Sequence, residues 1–244
     1  MFKNHPKGLV IAFFSNMGER FGFYTMMAIL VLFLQAKFGL SAESAGSIYS
    51  WFYFAIYALA LVGGIIADST KRYKLVVLLG LIVMLLGYAM MAIPGTTLAI
   101  AITGLMVIAL GNGLFKGNLQ AIVGQLYDDP KYEPLRDTGY LLFYMGINIG
   151  AFFAPFAATG MRNWFLKING FVHDASLPSM CHAYINGQSL DVDKFHALAN
   201  SVSSAPVTDL SAFAHQYIDV FSRGYNYAFG IAALAMIISL LIFI

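Results

Sequence analysis

The chain has 244 residues, 59% of them hydrophobic and only 11% charged, with a formal net charge of +2. A soluble domain carries roughly 25% charged residues, so too few polar groups are present to cover a globule in water, and the mean hydropathy of +0.74 points to lipid as the main solvent. The single cysteine, Cys181, excludes an intramolecular disulfide framework, and no Cys/His spacing suggests a zinc site.

In chain order, six apolar segments approach the ~20 residues that cross a bilayer. They lie near 8–36, 45–67, 74–93, 97–127, 138–161 and 224–244. The first follows Lys3 and Lys7 but is too long for a signal-peptide core and contains Asn16, Glu19 and Arg20, so it is expected to remain as a helix. Short connections join the next segments, including the turn Pro94-Gly95-Thr96 and a polar loop from Asp128 to Asp137. The stretch 162–223 is long and polar, with short helices expected near 191–202 and 207–221. It is expected to form a small extracytoplasmic loop or cap. The last apolar run reaches Ile244 without a polar flank, and the intact protein is expected to continue beyond it.

Basic residues of the short loops set an orientation. One side gathers Lys3, Lys7, Lys71, Arg72, Lys74, Lys131 and Arg136, and the other short loops offer Lys37. The amino terminus is therefore expected in the cytoplasm, in a multi-pass protein of the cell (plasma or inner) membrane.

All but three charged residues fall in loops or at segment ends. The exceptions are Glu19 and Arg20 on the first segment and Lys116 on the fourth. A charge near the bilayer centre costs ~2.5–3.5 kcal/mol on insertion scales, so such residues should face a polar cavity or one another. An ion-pair cluster between helices one and four is one arrangement, and a pair that only fixes helix packing is the alternative. Parting a carboxylate from its cation favours protonation, which would link a proton to a conformational change.

Residues at every fourth position share a helix face. Four such stripes stand out: Asn16, Arg20 and Tyr24; Tyr49, Tyr53 and Tyr57; Asn112, Lys116 and Gln120; and Tyr140, Tyr144 and Asn148. Any one of them is ordinary core. Four in one bundle favour a shared cavity. Gly111-Asn112-Gly113 lacks the spacing of a nucleotide loop, and its glycines are expected to allow close helix packing. No nucleophile and base combine on these helices, so no enzyme is expected, and neither a metal nor a nucleic-acid partner.

Four segments together resemble the proton-dependent oligopeptide transporter family of the major facilitator superfamily. Asn16-Met17-Gly18-Glu19-Arg20-Phe21-Gly22-Phe23-Tyr24 is similar to the family's E-x-x-E-R-F-x-Y-Y signature. Gly64-Ile65-Ile66-Ala67-Asp68 with Lys71-Arg72 resembles the superfamily's loop between helices two and three. Gly111-Asn112-Gly113-Leu114-Phe115-Lys116-Gly117-Asn118 resembles G-x-G-x-x-K-P-N, and Phe143-Tyr144 with Ile147-Asn148-x-Gly150 matches F-Y-x-x-I-N-x-G.

The resemblance implies an all-α six-helix transmembrane bundle. It would be the amino-terminal half of a major facilitator fold, built from a 3+3 inverted repeat, with the carboxy-terminal half as its partner. It implies proton-coupled transport of di- and tripeptides or peptide-like solutes by alternating access, driven by a proton gradient without a cofactor. Glu19, Arg20 and Lys116 would belong to the proton-coupling network. Tyr24, Tyr57, Lys116 and Asn148 would line the substrate cavity, with Asn16, Phe23 and Met27 beside them. Gly64, Asp68 and Arg72 would form the gating loop motif.

The sequence departs from the family at Asn16 (usually glutamate), Phe23 (usually tyrosine), Met27 (usually an arginine that receives the peptide carboxylate) and Gly117 (usually proline). Glu19 is then the only intramembrane carboxylate. The alternatives are the same fold with a non-peptide or carboxylate-lacking substrate, and a receptor-like or channel-like bundle.

Overall fold

The structure, a computed structural model, describes residues 2–244, and it is almost entirely helical. Six helices are long and apolar enough to cross a membrane. They are α1 (Lys7–Phe38), α2 (Ala42–Thr70), α3 (Tyr73–Ala92), α4 (Leu98–Gln125), α5 (Arg136–Ile168) and α8 (Leu210–Phe243). Two short helices, α6 (Leu177–Ile185) and α7 (Val192–Val202), lie between α5 and α8.

Local chemistry sets the turns. Gly39 takes a left-handed φ of 65° and its N–H closes on the Gln35 carbonyl, which ends α1. Two residues later the Ser41 hydroxyl accepts from the Ser44 N–H and starts α2. Thr97 caps α4 in the same way, accepting from Ile100 N–H.

The packing has an internal symmetry. Helix α1 lies against α5 and α8, and α4 lies against α2 and α3. Exchanging the first three spanning helices for the last three maps one set of contacts onto the other, and α3 against α8 maps onto itself. This is the relation expected of a 3+3 repeat.

Glycine makes the tightest crossings. A Cβ on Gly111 of α4 would lie 2.6 Å from the Met84 backbone nitrogen of α3, so only hydrogen fits. Gly117, by contrast, faces open space. The glycines of α4 thus divide between packing contacts, as expected at Gly111 and Gly113, and an open face at Gly117.

Two expected boundaries need correction. The polar stretch was expected over 162–223, but α5 continues to Ile168 and α8 begins at Leu210, leaving 169–209 between them. The expected helix near 207–221 and the apolar run at 224–244 are one helix of 34 residues. At 1.5 Å per residue it is about 51 Å long, well beyond the ~30 Å hydrocarbon core.

The physical reason is continuity of one face. Phe213, Tyr217, Phe221, Tyr225 and Phe229 are all buried along α8 with no break in phase. An Arg223–Asp219 pair four residues apart supports the polar face. Asp209 accepts from the Ser211 and Ala212 N–H groups and fixes the true start.

The first turns of α8 pack on the intervening segment. Phe213 and Tyr217 meet Phe171, and Phe195 of α7 meets Phe213. Helix α7 falls where a helix near 191–202 was expected. Helix α6 was not anticipated; its first turn holds Pro178, and the buried Leu177 and Cys181 anchor it.

Candidate substrate cavity and buried ion pair

The core of the site is one side-chain pair on α1. Arg20 donates through Nε to Glu19 Oε2 at 2.5 Å and through Nη2 to Glu19 Oε1 at 2.6 Å. Both residues are buried. Neighbours on a helix leave the axis about 100° apart, so the two side chains must curl toward each other to meet. The planar guanidinium fork then holds both carboxylate oxygens. Phe23, one turn on, places its ring 4.7 Å from the Arg20 Cζ.

A third donor comes from α4. Asn112 Nδ2 donates to Glu19 Oε1 at 3.0 Å. The Asn112 Oδ1, the Asn16 Nδ2 and the Tyr88 hydroxyl are buried without a partner among the described residues. The pair therefore sits in a buried polar region built from α1, α3 and α4.

The expected three-charge cluster does not form. Lys116 is half-buried and pairs with neither Glu19 nor Arg20; its Nζ lies 4.8 Å from the centre of the Tyr57 ring. The link from α1 to α4 is Asn112, one turn before Lys116. Backbone contact explains where Lys116 goes. A Cβ on Gly113 would lie 2.6 Å from the Leu59 backbone, so α4 rests directly on α2. Asn118 Nδ2 locks the crossing by donating to the Gly63 carbonyl at 3.0 Å. Lys116, between these two contacts, is delivered to Tyr57.

Lys116 and Arg20 share a cavity of about 200 Å³. Helix α1 lines it with Arg20, Phe23, Tyr24 and Met27, and α2 with Tyr49, Tyr53, Ile56 and Tyr57. The α2 tyrosines form a ladder. Tyr49 and Tyr53 stack with centroids 6.0 Å apart, and the Tyr53 and Tyr57 hydroxyls are 3.4 Å apart. Among the described residues, phenol hydroxyls, aromatic faces and two cations border this space, and no carboxylate lines it. Such a lining suits a polar solute carrying negative charge.

The other expected site residues lie elsewhere. Asn148 is exposed on α5 and does not line the cavity. Its stripe partner Tyr144 accepts from Gln120 Nε2 at 3.4 Å on a separate α4–α5 face. Asn16 is buried on α1 outside the cavity. The helical spacing was right, but α5 packs on α1 through Gly146 and Gly150, which turns Asn148 away. Gly64, Asp68 and Arg72 belong to the α2–α3 end; there the Tyr73 hydroxyl donates to Asp68 Oδ1 at 2.5 Å, and Lys71 has a left-handed φ of 56°.

One buried charge was missed. Arg162, placed by the sequence reading at a loop end, lies inside α5 and is 6% exposed. The aromatic run Phe221 and Tyr225, at helical spacing on α8, was the available signal.

Comparison with known proteins places this geometry. The sequence profile of the POT family (PTR2) matches residues 74–244. A dipeptide and tripeptide permease A of Cronobacter turicensis is 36% identical over 160 residues, 66% of this chain and 32% of the permease. A peptide transporter POT, solved in complex with sulfate, superposes with a TM-score of 0.68 at 28% identity, covering 100% of this chain and 38% of that one. A mutant of a peptide transporter POT in complex with alafosfalin gives 0.66 at 28% identity, covering 100% and 39%. The chain thus spans about a third of the length of the relatives it matches. Family profile and fold agree, and the chain belongs to the POT family of multi-pass membrane transporters.

Proposed function

We propose that this chain forms one wall of a proton-coupled transporter that moves di- and tripeptides or peptide-like solutes by alternating access. The observation that carries the proposal is Lys116, a cation without a carboxylate partner among the described residues, facing a tyrosine-lined cavity that also borders the Glu19–Arg20 pair. In this reading Lys116 and the tyrosines Tyr24 and Tyr57 receive the solute. The relatives' names, a dipeptide and tripeptide permease and a peptide transporter, support that substrate class.

Glu19 and Arg20 supply the coupling. Closed on each other, they hold equal and opposite charge in a buried site. A change in the angle between α1 and α4 draws Asn112 away and loosens the pair, so that Glu19 becomes free to accept a proton. The proton then travels with the conformational change. Asn16 cannot titrate near neutral pH, so Glu19 carries this task alone in the chain. A second six-helix half would close the cavity. The basic residues of the short loops put the amino terminus in the cytoplasm and residues 169–209 outside, in a bacterial inner membrane or equivalent cell membrane. Gly64, Asp68 and Arg72 would act in gating at the cytoplasmic end.

The test is dipeptide uptake into proteoliposomes holding the intact protein, with and without an imposed proton gradient. Gradient-driven accumulation is expected, with Glu19→Gln retaining exchange but losing accumulation. Uptake that ignores the gradient, or equal loss of both activities in the variant, removes the coupling role.

Met27 favours a second reading. It lines the cavity at a place without a cation, which suits a solute whose negative group is weak or absent. Met27→Arg should then lower affinity for the native solute and raise it for simple dipeptides. Unchanged affinity for both removes this reading.

A further inference from the structure

A second cavity of about 510 Å³ lies where the ends of α1 and α5 meet α6. Gln35 and Arg162 both line it. On α1 the first cavity ends at Met27 and this one begins at Leu32, roughly 8 Å further along the helix, and Gln35 lies about 22 Å beyond Arg20.

Arg162 is the unusual group. It is buried, yet no carboxylate lies within 4.0 Å of its guanidinium among the described residues. Its contacts are neutral: Nε and Nη2 donate to Asn163 Oδ1 at 3.0 and 2.9 Å, and Nη1 donates to the Tyr225 hydroxyl at 3.2 Å. The rings of Phe221 and Tyr225 lie 5.9 and 5.6 Å from its Cζ. A guanidinium has five N–H donors, and these bonds use three. A buried charge needs a partner, and the unused donors belong to a residue that lines an open cavity.

Among the described residues, the rest of the lining holds no Asp, Glu, Lys or further Arg, and it mixes apolar side chains such as Leu32, Leu40 and Phe221 with hydrogen-bonding ones. His173 stacks on Phe221 with centroids 5.4 Å apart. Burial and the nearby Arg162 hold its imidazole below the usual histidine range, so it offers one donor and one acceptor at neutral pH. The nearest acid in sequence, Asp174, is already used. Its Oδ1 accepts from the Ser176 N–H and hydroxyl and from the Leu177 N–H, fixing the start of α6. Gln35, Ser179 and Gln188 add hydrogen-bonding groups. The space exceeds what one inorganic ion fills.

We infer that Arg162 and the cavity under α6 form a binding site for a carboxylate-bearing organic solute, separate from the site between α1, α2 and α4. The carboxylate would take the two unused N–H groups of Arg162, and the body of the solute would lie along the α6 face and the α1–α2 turn.

The test is equilibrium binding of N-acetylglycinate to the purified intact protein at constant ionic strength, with N-acetylglycinamide as the neutral counterpart. Saturable binding of the acid, at least tenfold tighter than of the amide, is expected. Arg162→Gln should weaken it at least tenfold. Ser179→Trp fills the cavity from an exposed position and leaves Arg162 itself in place, and should do the same. It decides the matter alone if Arg162→Gln does not fold. Equal binding of acid and amide, no saturable binding of the acid, or unchanged acid binding in either folded variant overturns the site. None of these readouts depends on transport.

Discussion

Arg20 grips both carboxylate oxygens of its own neighbour, Glu19, while Lys116, the cation expected to share that carboxylate, stands over Tyr57 instead. The consequence is a division of labour. One cation neutralises the buried acid and the other is left to the cavity.

The pair should behave as a unit. Arg20→Gln leaves Glu19 buried and uncompensated, a loss of about 3–5 kcal/mol for breaking a buried pair from one side. The double variant Glu19→Gln/Arg20→Gln should recover much of that loss, because two amides can bond each other. Thermal unfolding of the four proteins in one detergent measures the cycle. Additive losses would mean that the two residues do not depend on each other.

Asn112 should matter for geometry more than for mass. Asn112→Leu removes the α4 donor to Glu19 while filling the space, and should cost roughly 1–3 kcal/mol as a buried acceptor loses a partner. Asn112→Gln should not fully restore it, because the extra methylene displaces the amide from its 3.0 Å contact with Glu19. Unfolding midpoints equal to the parent's in both variants would contradict the hydrogen bond.

Lys116→Gln should weaken binding of a dipeptide with a free terminal carboxylate more than binding of its terminal amide. A cation–π contact with Tyr57 is worth about 0.5–2 kcal/mol, so a modest fall in stability is also expected. Equal weakening of both ligands, measured by competition, would assign Lys116 to packing.

Gly111 and Gly117 should respond oppositely. Gly111→Val forces a side chain onto the Met84 backbone and should destabilise by about 1–3 kcal/mol or more. Gly117→Ala meets open space and should be neutral or slightly stabilising, since alanine favours helix. Matching losses at the two positions would refute the α3–α4 crossing.

Cys181 should be inert. It is fully buried in α6, and burial pushes its thiol up to about 12. The thiolate is the reactive form, and a raised pKa keeps the thiol protonated from neutral pH up to that value. Maleimide at pH 8 should label the unfolded protein and spare the folded one. Rapid labelling of the folded protein would show that α6 is not seated as described.

Much of the fold was legible before any coordinates. The six spanning helices follow from runs of apolar residues long enough to cross a bilayer. The end of α5 and the start of α8 were misplaced because polar residues such as Arg162 and Asp219 suggested a loop. Both residues in fact lie on helices, Arg162 held through part of its donors by Tyr225 and Asn163, and Asp219 paired with Arg223.

The sequence by itself determined that Glu19, Arg20 and Lys116 must lie in a membrane-spanning bundle, because composition and helix length depend on nothing but the order of residues. It also carried the family resemblance in four short motifs. Tertiary structure alone decided which charge meets which. Helical spacing places a residue on a face, but the partner of that face depends on how helices cross. Those crossings are set by Gly63, Gly111, Gly113 and Gly150, whose missing side chains let particular backbones touch. The same contacts turned Asn148 away from the cavity and gave Lys116 to Tyr57, while Gly224 of α8 lets that helix close on the Arg162 backbone and bury it, with no acid partner among the described residues.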